Sequence, residues 1–185
     1  MGTGNTGPRG TRRGGGPHSA QGVPPRLPAI AVRGQPQRAT MRGHLSDDTA
    51  NVRSRYPARA LQAAQQAYAP YSQLRVGAAL RSAAGHVYTG CNVENASYTL
   101  GNCAERAAIA AAVQAEGADF RLAAIAVTAF DAAGDVLPIS PCGGCRQALV
   151  EFGEDATVSF RQPDAQWLDV TAGALLPHRF SFPER

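Results

Sequence analysis

From residue 74 onward the apolar positions fall into distinct rhythms. Leu74, Val76, Ala78 and Leu80 alternate with Arg75, Gly77, Ala79 and Arg81, the two-residue period of a strand. After a turn at Ala84-Gly85, Val87, Thr89, Cys91 and Val93 share one side of a second strand, with Tyr88, Asn92 and Glu94 on the other, so the pair reads as a hairpin. A helical stretch is expected from Cys103 to Ala115, ended near Gly117. Leu122 to Phe130 is almost wholly apolar, as in a central strand covered on both faces. Ser140-Pro141 reads as a helix start, with Ser140 as N-cap and the helix running to about Glu151. Short strands near 157–161 and 166–170 and a brief helix around 173–176 follow. Upstream, order is expected to begin near Pro57, in the first turn of an Ala-rich helix that Pro70 terminates. The order α-β-β-α-β-α-β-β predicts a single-domain α/β fold, a mixed β-sheet with helices packed on it.

Residues 1–48 have no such rhythm. The first forty hold nine Gly and six Pro, too little apolar surface to offset the entropy of ordering, so this extension is expected to be disordered and 49–185 to be the folded domain. A translation start at Met41 is an alternative origin for the protein. Charge divides at the same place. All 18 basic residues are Arg; six stand in residues 1–40 against no acid, and twelve thereafter against fourteen acids. The net +4 therefore belongs to the extension, and a basic nucleic-acid-binding face is not expected on the body. No run approaches the roughly eighteen apolar residues of a membrane span, and no export-type apolar stretch stands near the start. Four cysteines in such a chain are expected to be reduced, in the cytoplasm, and available for metal or catalysis.

Two short pieces carry chemistry: Asn102-Cys103-Ala104-Glu105-Arg106 and Pro141-Cys142-Gly143-Gly144-Cys145-Arg146. Each puts cysteine in the first turn of a predicted helix, where unpaired backbone N–H groups and the helix dipole favour thiolate. Cys103, Cys142 and Cys145 together offer three soft ligands to one zinc ion, leaving the fourth tetrahedral position open, the mark of a catalytic site. Glu105, two positions from a ligand, suits a proton carrier. Arg106, one turn after Cys103, would offset the charge of three thiolates on a divalent ion, and Arg146 would do the same or pair with a carboxylate.

Plainer readings stand beside these. Glu105 would complete a capping box with Asn102 as N-cap. Cys142-x-x-Cys145 has the spacing of a thioredoxin-type redox pair. Cys91 as a fourth ligand would make a closed structural zinc site, and with the basic extension a nucleic-acid-binding module; its strand alternation instead assigns Cys91 to the core.

The runs Cys91-Asn92-Val93-Glu94-Asn95-Ala96-Ser97-Tyr98, Cys103-Ala104-Glu105-Arg106 and Pro141-Cys142-Gly143-Gly144-Cys145-Arg146-Gln147 closely resemble the cytidine deaminase family, in its small homotetrameric three-cysteine branch. The likeness extends from about Ala60-Leu61 to Leu175-Leu176-Pro177. It implies an α-β-α sandwich and a zinc-dependent hydrolase that converts cytidine and deoxycytidine to uridine and deoxyuridine plus ammonia, in pyrimidine salvage. Carried onto matching positions, it implies one zinc per subunit on Cys103, Cys142 and Cys145, with Glu105 as the proton shuttle. By the same resemblance Asn92 and Glu94 hold the ribose hydroxyls, the Ala104 N–H meets the pyrimidine carbonyl, and Tyr98 and Phe180 reach a neighbouring subunit's pocket. The chain departs from the family at Leu74, where a Phe is common; loss of that ring would weaken stacking on the base by about 1 kcal/mol. A related branch acts on blasticidin-type nucleosides and is the alternative among enzymes.

Overall fold

The computed structural model describes residues 48–182 together with the first two residues, and the expectation of disorder for the extension lies outside the described residues. Helix α1 (Asp48–Ala64) is followed by the antiparallel hairpin of β1 (Arg75–Ser82) and β2 (Val87–Cys91). Helix α2 (Ala104–Glu116) leads to the long central strand β3 (Leu122–Phe130). A two-residue strand, β4 (Val136–Leu137), precedes α3 (Gly143–Phe152), and β5 (Thr157–Arg161) and β6 (Trp167–Thr171) close the sheet before a 3₁₀ turn at Gly173–Leu175.

The strands lie in the order β2-β1-β3-β5-β6, with β4 pairing the last two residues of β3. Among the strands of the described residues, β3 and β5 are the parallel pair, and α3 makes the crossover between them that a parallel pair requires. The predicted α/β fold with a mixed sheet is therefore the observed one.

Register decides which residues face which helix. Gly77 stands opposite Cys91, and Ala78 opposite Gly90. A Cβ on Gly77 would collide with the carbonyl of Ala60 in α1, and one on Gly90 would collide with the α2 backbone at Ala104 and Ala108. Consequently α1 covers one face of the sheet and α2 the other. The α1 face is built of small residues, Gly77, Ala79, Ala124, Ala126 and Thr128, against Ala60 and Ala64. The opposite face holds the larger core: Leu80, Ile125, Val127 and Val158 pack with Ile109, Phe120 and Leu149. Each such fully buried aliphatic side chain contributes about 1.5–3 kcal/mol of transfer free energy.

Three expectations are corrected. Helix α1 starts at Asp48 and not near Pro57, which lies inside it; a proline forfeits one ladder bond and can kink a helix without ending it. The same helix stops at Ala64, well before Pro70, because Tyr68 is drawn into strand-like pairing: its N–H donates to the Asn92 carbonyl (3.1 Å) and its carbonyl accepts from the Glu94 N–H (2.8 Å). Cys91 is half-buried, not a full core residue, since β2 is the sheet's edge. Among the described residues no helix is long and apolar enough to cross a membrane.

Candidate active site

Both cysteine-bearing pieces sit at helix starts, one residue and two residues later than Asn102 and Ser140 would place them. Cys103 is the N-cap of α2 and Cys142 the N-cap of α3, each with extended backbone and no side-chain cap bond. Asn102 is kept out of the helix because its N–H and carbonyl both pair with Val93 at 2.9 Å. With Cys103 as N-cap, Glu105 is the second helical residue and not the third, so the capping box does not form.

The two helix starts converge. The sulfurs of Cys103, Cys142 and Cys145 all lie within 4.8 Å of one another, with Cys103 Sγ to Cys142 Sγ at 3.9 Å and Cys142 Sγ to Cys145 Sγ at 3.3 Å. Zinc–sulfur bonds of about 2.3 Å in a tetrahedron require edges of about 3.8 Å, so three thiolates so placed suit one zinc ion with its fourth position open. Cys91 does not join the group, and a closed four-cysteine site is not formed. The redox-pair reading leaves Cys103 without a part, whereas all three sulfurs meet here.

Electrostatics around the sulfurs follow from burial and neighbours. Cys103 is lowered to about 5, by hydrogen bonding from the Cys145 and Cys142 thiols and by the Arg106 guanidinium, against the opposing effect of burial. Cys145, fully buried, is pushed up by the thiol hydrogen bond it gives Cys103, by burial, and by the carboxylate of Glu105. Arg106 Nη2 lies 4.0 Å from Cys103 Sγ and donates to the Gly101 carbonyl at 3.0 Å. Arg146 donates to the backbone carbonyls of Pro141 (2.9 Å) and Leu175 (3.3 Å). Glu105 is only 4% exposed. Burial raises its carboxyl above the usual range, with negative charge at Cys103 adding to the rise and its own backbone N–H, Cys145 and Arg106 offsetting part of it.

A cavity of about 340 Å³ opens beside the sulfurs. It is lined by the predicted Leu74, Asn92, Glu94, Cys103, Ala104, Glu105 and Cys142. Ser72, Val76, Ile139 and Ser140 also line it and were not foreseen as site residues; Ser140 reads in the sequence as a cap, and Ser72 carries no local signal at all. At the outer end Glu94 Oε2 accepts from the Tyr71 N–H (2.9 Å) and the Ser72 N–H (3.2 Å), and Oε1 accepts from the Ser72 hydroxyl. These bonds, the Ser72 hydroxyl first, hold the Glu94 carboxyl below its usual value. Asn92 Oδ1 accepts from the Val76 N–H (2.7 Å), and Nδ2 donates to the Leu74 carbonyl (2.9 Å).

Two predicted residues lie elsewhere. Tyr98, 81% exposed, lines a neighbouring cleft with Tyr71, Ser72 and Glu94. Phe180, 66% exposed, stacks edge-on with Phe182 and is held by Gln147 through bonds to its carbonyl (3.0 Å) and N–H (3.2 Å).

Comparisons with known proteins agree with this geometry. Residues 50–161 match the family model described as the cytidine and deoxycytidylate deaminase zinc-binding region. The chain is 43% identical over 121 residues to a cytidine deaminase of Sporosarcina psychrophila, covering 65% of this chain and 85% of that one. Among solved structures, the cytidine deaminase of Mycobacterium tuberculosis superposes with a TM-score of 0.57 at 41% identity, covering 69% of this chain and 95% of that chain. That of Burkholderia pseudomallei gives 0.58 at 44% identity, covering 66% and 94%.

Proposed function

Because the chain belongs to the cytidine and deoxycytidylate deaminase family, we propose that it hydrolyses cytidine and deoxycytidine to uridine and deoxyuridine with release of ammonia. The observation that carries this reading is a buried carboxyl, Glu105, lining one cavity with Cys103 and Cys142, whose sulfurs cluster with that of Cys145 at near-tetrahedral spacing. Cys103, Cys142 and Cys145 would hold one zinc ion per subunit, which when bound supplies the Lewis acidity that makes water nucleophilic near neutral pH.

Residues of the chain do the rest. Glu105 takes a proton from the attacking water onto a carboxyl oxygen and delivers it to the pyrimidine ring nitrogen as the new C–O bond forms; it then takes the remaining proton of the added hydroxyl and passes it to the amino group, which leaves as ammonia as the C–N bond breaks and the C=O bond forms. One water is consumed and one ammonia released, so Glu105 ends as it began. Its raised pKa suits the task, because a carboxyl that holds a proton readily accepts it and burial keeps bulk water from taking it. The Ala104 N–H, at the first helical position of α2 and free of the helix ladder, meets the pyrimidine carbonyl. Leu74, Val76 and Ile139 give the base an aliphatic wall. Asn92 and Glu94 take the sugar hydroxyls, and Arg106 balances the negative charge of the sulfurs.

In the same reading the protein is a homotetramer of pyrimidine salvage in the cytoplasm. Support for assembly comes from the exposed Tyr71, Tyr98, Leu100, Phe180 and Phe182, which as part of a lone subunit leave much apolar area in water. Tyr98 and Phe180 are the side chains that extend to a neighbouring subunit's pocket. Residues 49–185 form the catalytic domain, and the extension takes no part in catalysis. The test is to incubate zinc-loaded protein, metal content determined on the same sample, with cytidine, deoxycytidine and blasticidin S and to follow loss of the cytosine absorbance. Turnover of the two pyrimidine nucleosides is expected; none by zinc-loaded protein sinks the proposal, and turnover of blasticidin S alone moves the protein to the related branch.

A further inference from the structure

The rim of the cavity is a turn under strain. Gln73 has φ 57°, in the left-handed region that a residue with a side chain seldom occupies, and such conformations persist only where surrounding bonds over-determine them. Those bonds are visible. The Gln73 N–H donates to the Ala69 carbonyl (3.2 Å), and Gln73 Nε2 donates to the Pro70 carbonyl (3.0 Å). The Tyr71 and Ser72 N–H groups converge on Glu94 Oε2, 22 and 23 residues away in sequence. One hydroxyl joins the two sides: Ser72 Oγ donates to Glu94 Oε1 and accepts from the Leu74 N–H at 3.0 Å.

Counting hydrogen-bond capacity shows what is left for a ligand. Each carboxylate oxygen accepts about two bonds. Glu94 Oε2 is filled by two N–H groups, while Oε1 has one acceptor position beyond the Ser72 hydroxyl. Asn92 spends Oδ1 on Val76 and one Nδ2 hydrogen on Leu74, leaving the second hydrogen free to donate. One acceptor and one donor, both lining the cavity, therefore remain on rigidly held groups.

We infer that Ser72 is a positioning residue for sugar recognition: its hydroxyl locks Glu94 to the Pro70–Leu74 turn, so that the remaining acceptor on Glu94 Oε1 is held toward a ribose hydroxyl. This rests on the reading of the site as a nucleoside pocket with Glu94 at its sugar end. It assigns Ser72 no contact with the reacting atoms; that part falls to Glu105 and the three sulfurs.

The test compares wild type, Ser72→Ala and Ser72→Thr on cytidine and on 2′,3′-dideoxycytidine, which keeps the base but lacks both ring hydroxyls. For cytidine, S72A is expected to raise KM about tenfold with kcat changed less than twofold, the scale of one misplaced hydrogen bond to a charged group. S72T, which keeps the hydroxyl, is expected to recover most of that loss. For dideoxycytidine the wild type and S72A are expected to share one KM. An equal KM rise on both nucleosides, a fall in kcat in place of the KM rise, or an unchanged KM for cytidine overturns the inference. Absence of wild-type turnover sinks the deaminase reading separately; the same comparison is then read as Kd for uridine against 2′,3′-dideoxyuridine by calorimetry, with the same expected tenfold gap and the same overturning results.

Discussion

The two ends of the cavity are built in opposite ways. At the sulfur end, Cys103, Cys142 and Cys145 stand at or within the first turns of two helices that pack on the sheet, and Glu105, Ala104 and Cys145 are buried there. Around Glu94, Ser72 is exposed, the turn has a strained residue, and Glu94 is held mainly by hydrogen bonds to that turn. Packing holds the first end and polar bonds hold the second. The difference suits the tasks proposed for each: a proton carrier and a metal-ligand set would need fixed distances, whereas a sugar bound at Glu94 would have to enter and leave past the rim.

The largest effect should come from the chemistry of the buried end. Glu105→Gln keeps the shape and removes the proposed proton carrier; kcat is expected to fall by about 10² to 10⁴, with zinc content and KM little changed. Survival of activity would show that the proton moves by another group. A smaller and differently shaped loss is expected from Gly90→Ala. The added Cβ meets the backbone of α2 at Ala104 and Ala108, pushing that helix off the sheet. Overpacking of this kind costs about 1–3 kcal/mol, and here it should also displace the turn that carries Cys103 and lower zinc occupancy. If thermal melting and metal content are both unchanged, the buried end is more pliant than its packing implies. The smallest effect is a matter of labelling. In metal-free protein, Cys103 at about pKa 5 is thiolate above that pH, so its alkylation by iodoacetamide should already be near its plateau by about pH 6–7. Cys145, raised and buried, should stay unmodified over that range. A Cys103 rate that climbs only through about pH 8–9, as for an ordinary thiol, would contradict the assigned environment.

The sulfur end was legible in the sequence because its signals are local. Cys-Ala-Glu-Arg and Cys-Gly-Gly-Cys each declare a helix start within a few residues, and nothing distant is needed to bring Cys142 near Cys145. Even there the caps were misjudged, since the pairing of Asn102 with Val93 that holds it out of the helix is a tertiary event. The Glu94 side of the cavity was legible only in Asn92 and Glu94. The sequence gives Ser72 and the turn of Gln73 no assignable role, because what gives them meaning is a carboxylate more than twenty residues away. Gln73 carries none of the glycine signature by which positive φ is usually read. The strand β4 was missed for a simpler reason: two residues cannot display a period of two.

The sheet face under α1 has a practical consequence for anyone dissecting this protein by mutation. Ala60, Ala64, Ala79, Ala124 and Ala126 are already alanine, and Gly77 is smaller still. A conventional alanine scan skips the five alanines and reports on this contact chiefly through Gly77→Ala, whose added Cβ meets the Ala60 carbonyl. Only a scan that adds atoms, for instance serine, valine or leucine at these positions, can report how closely the helix rides on the sheet. The sites it would find intolerant are the ones that truncation cannot see.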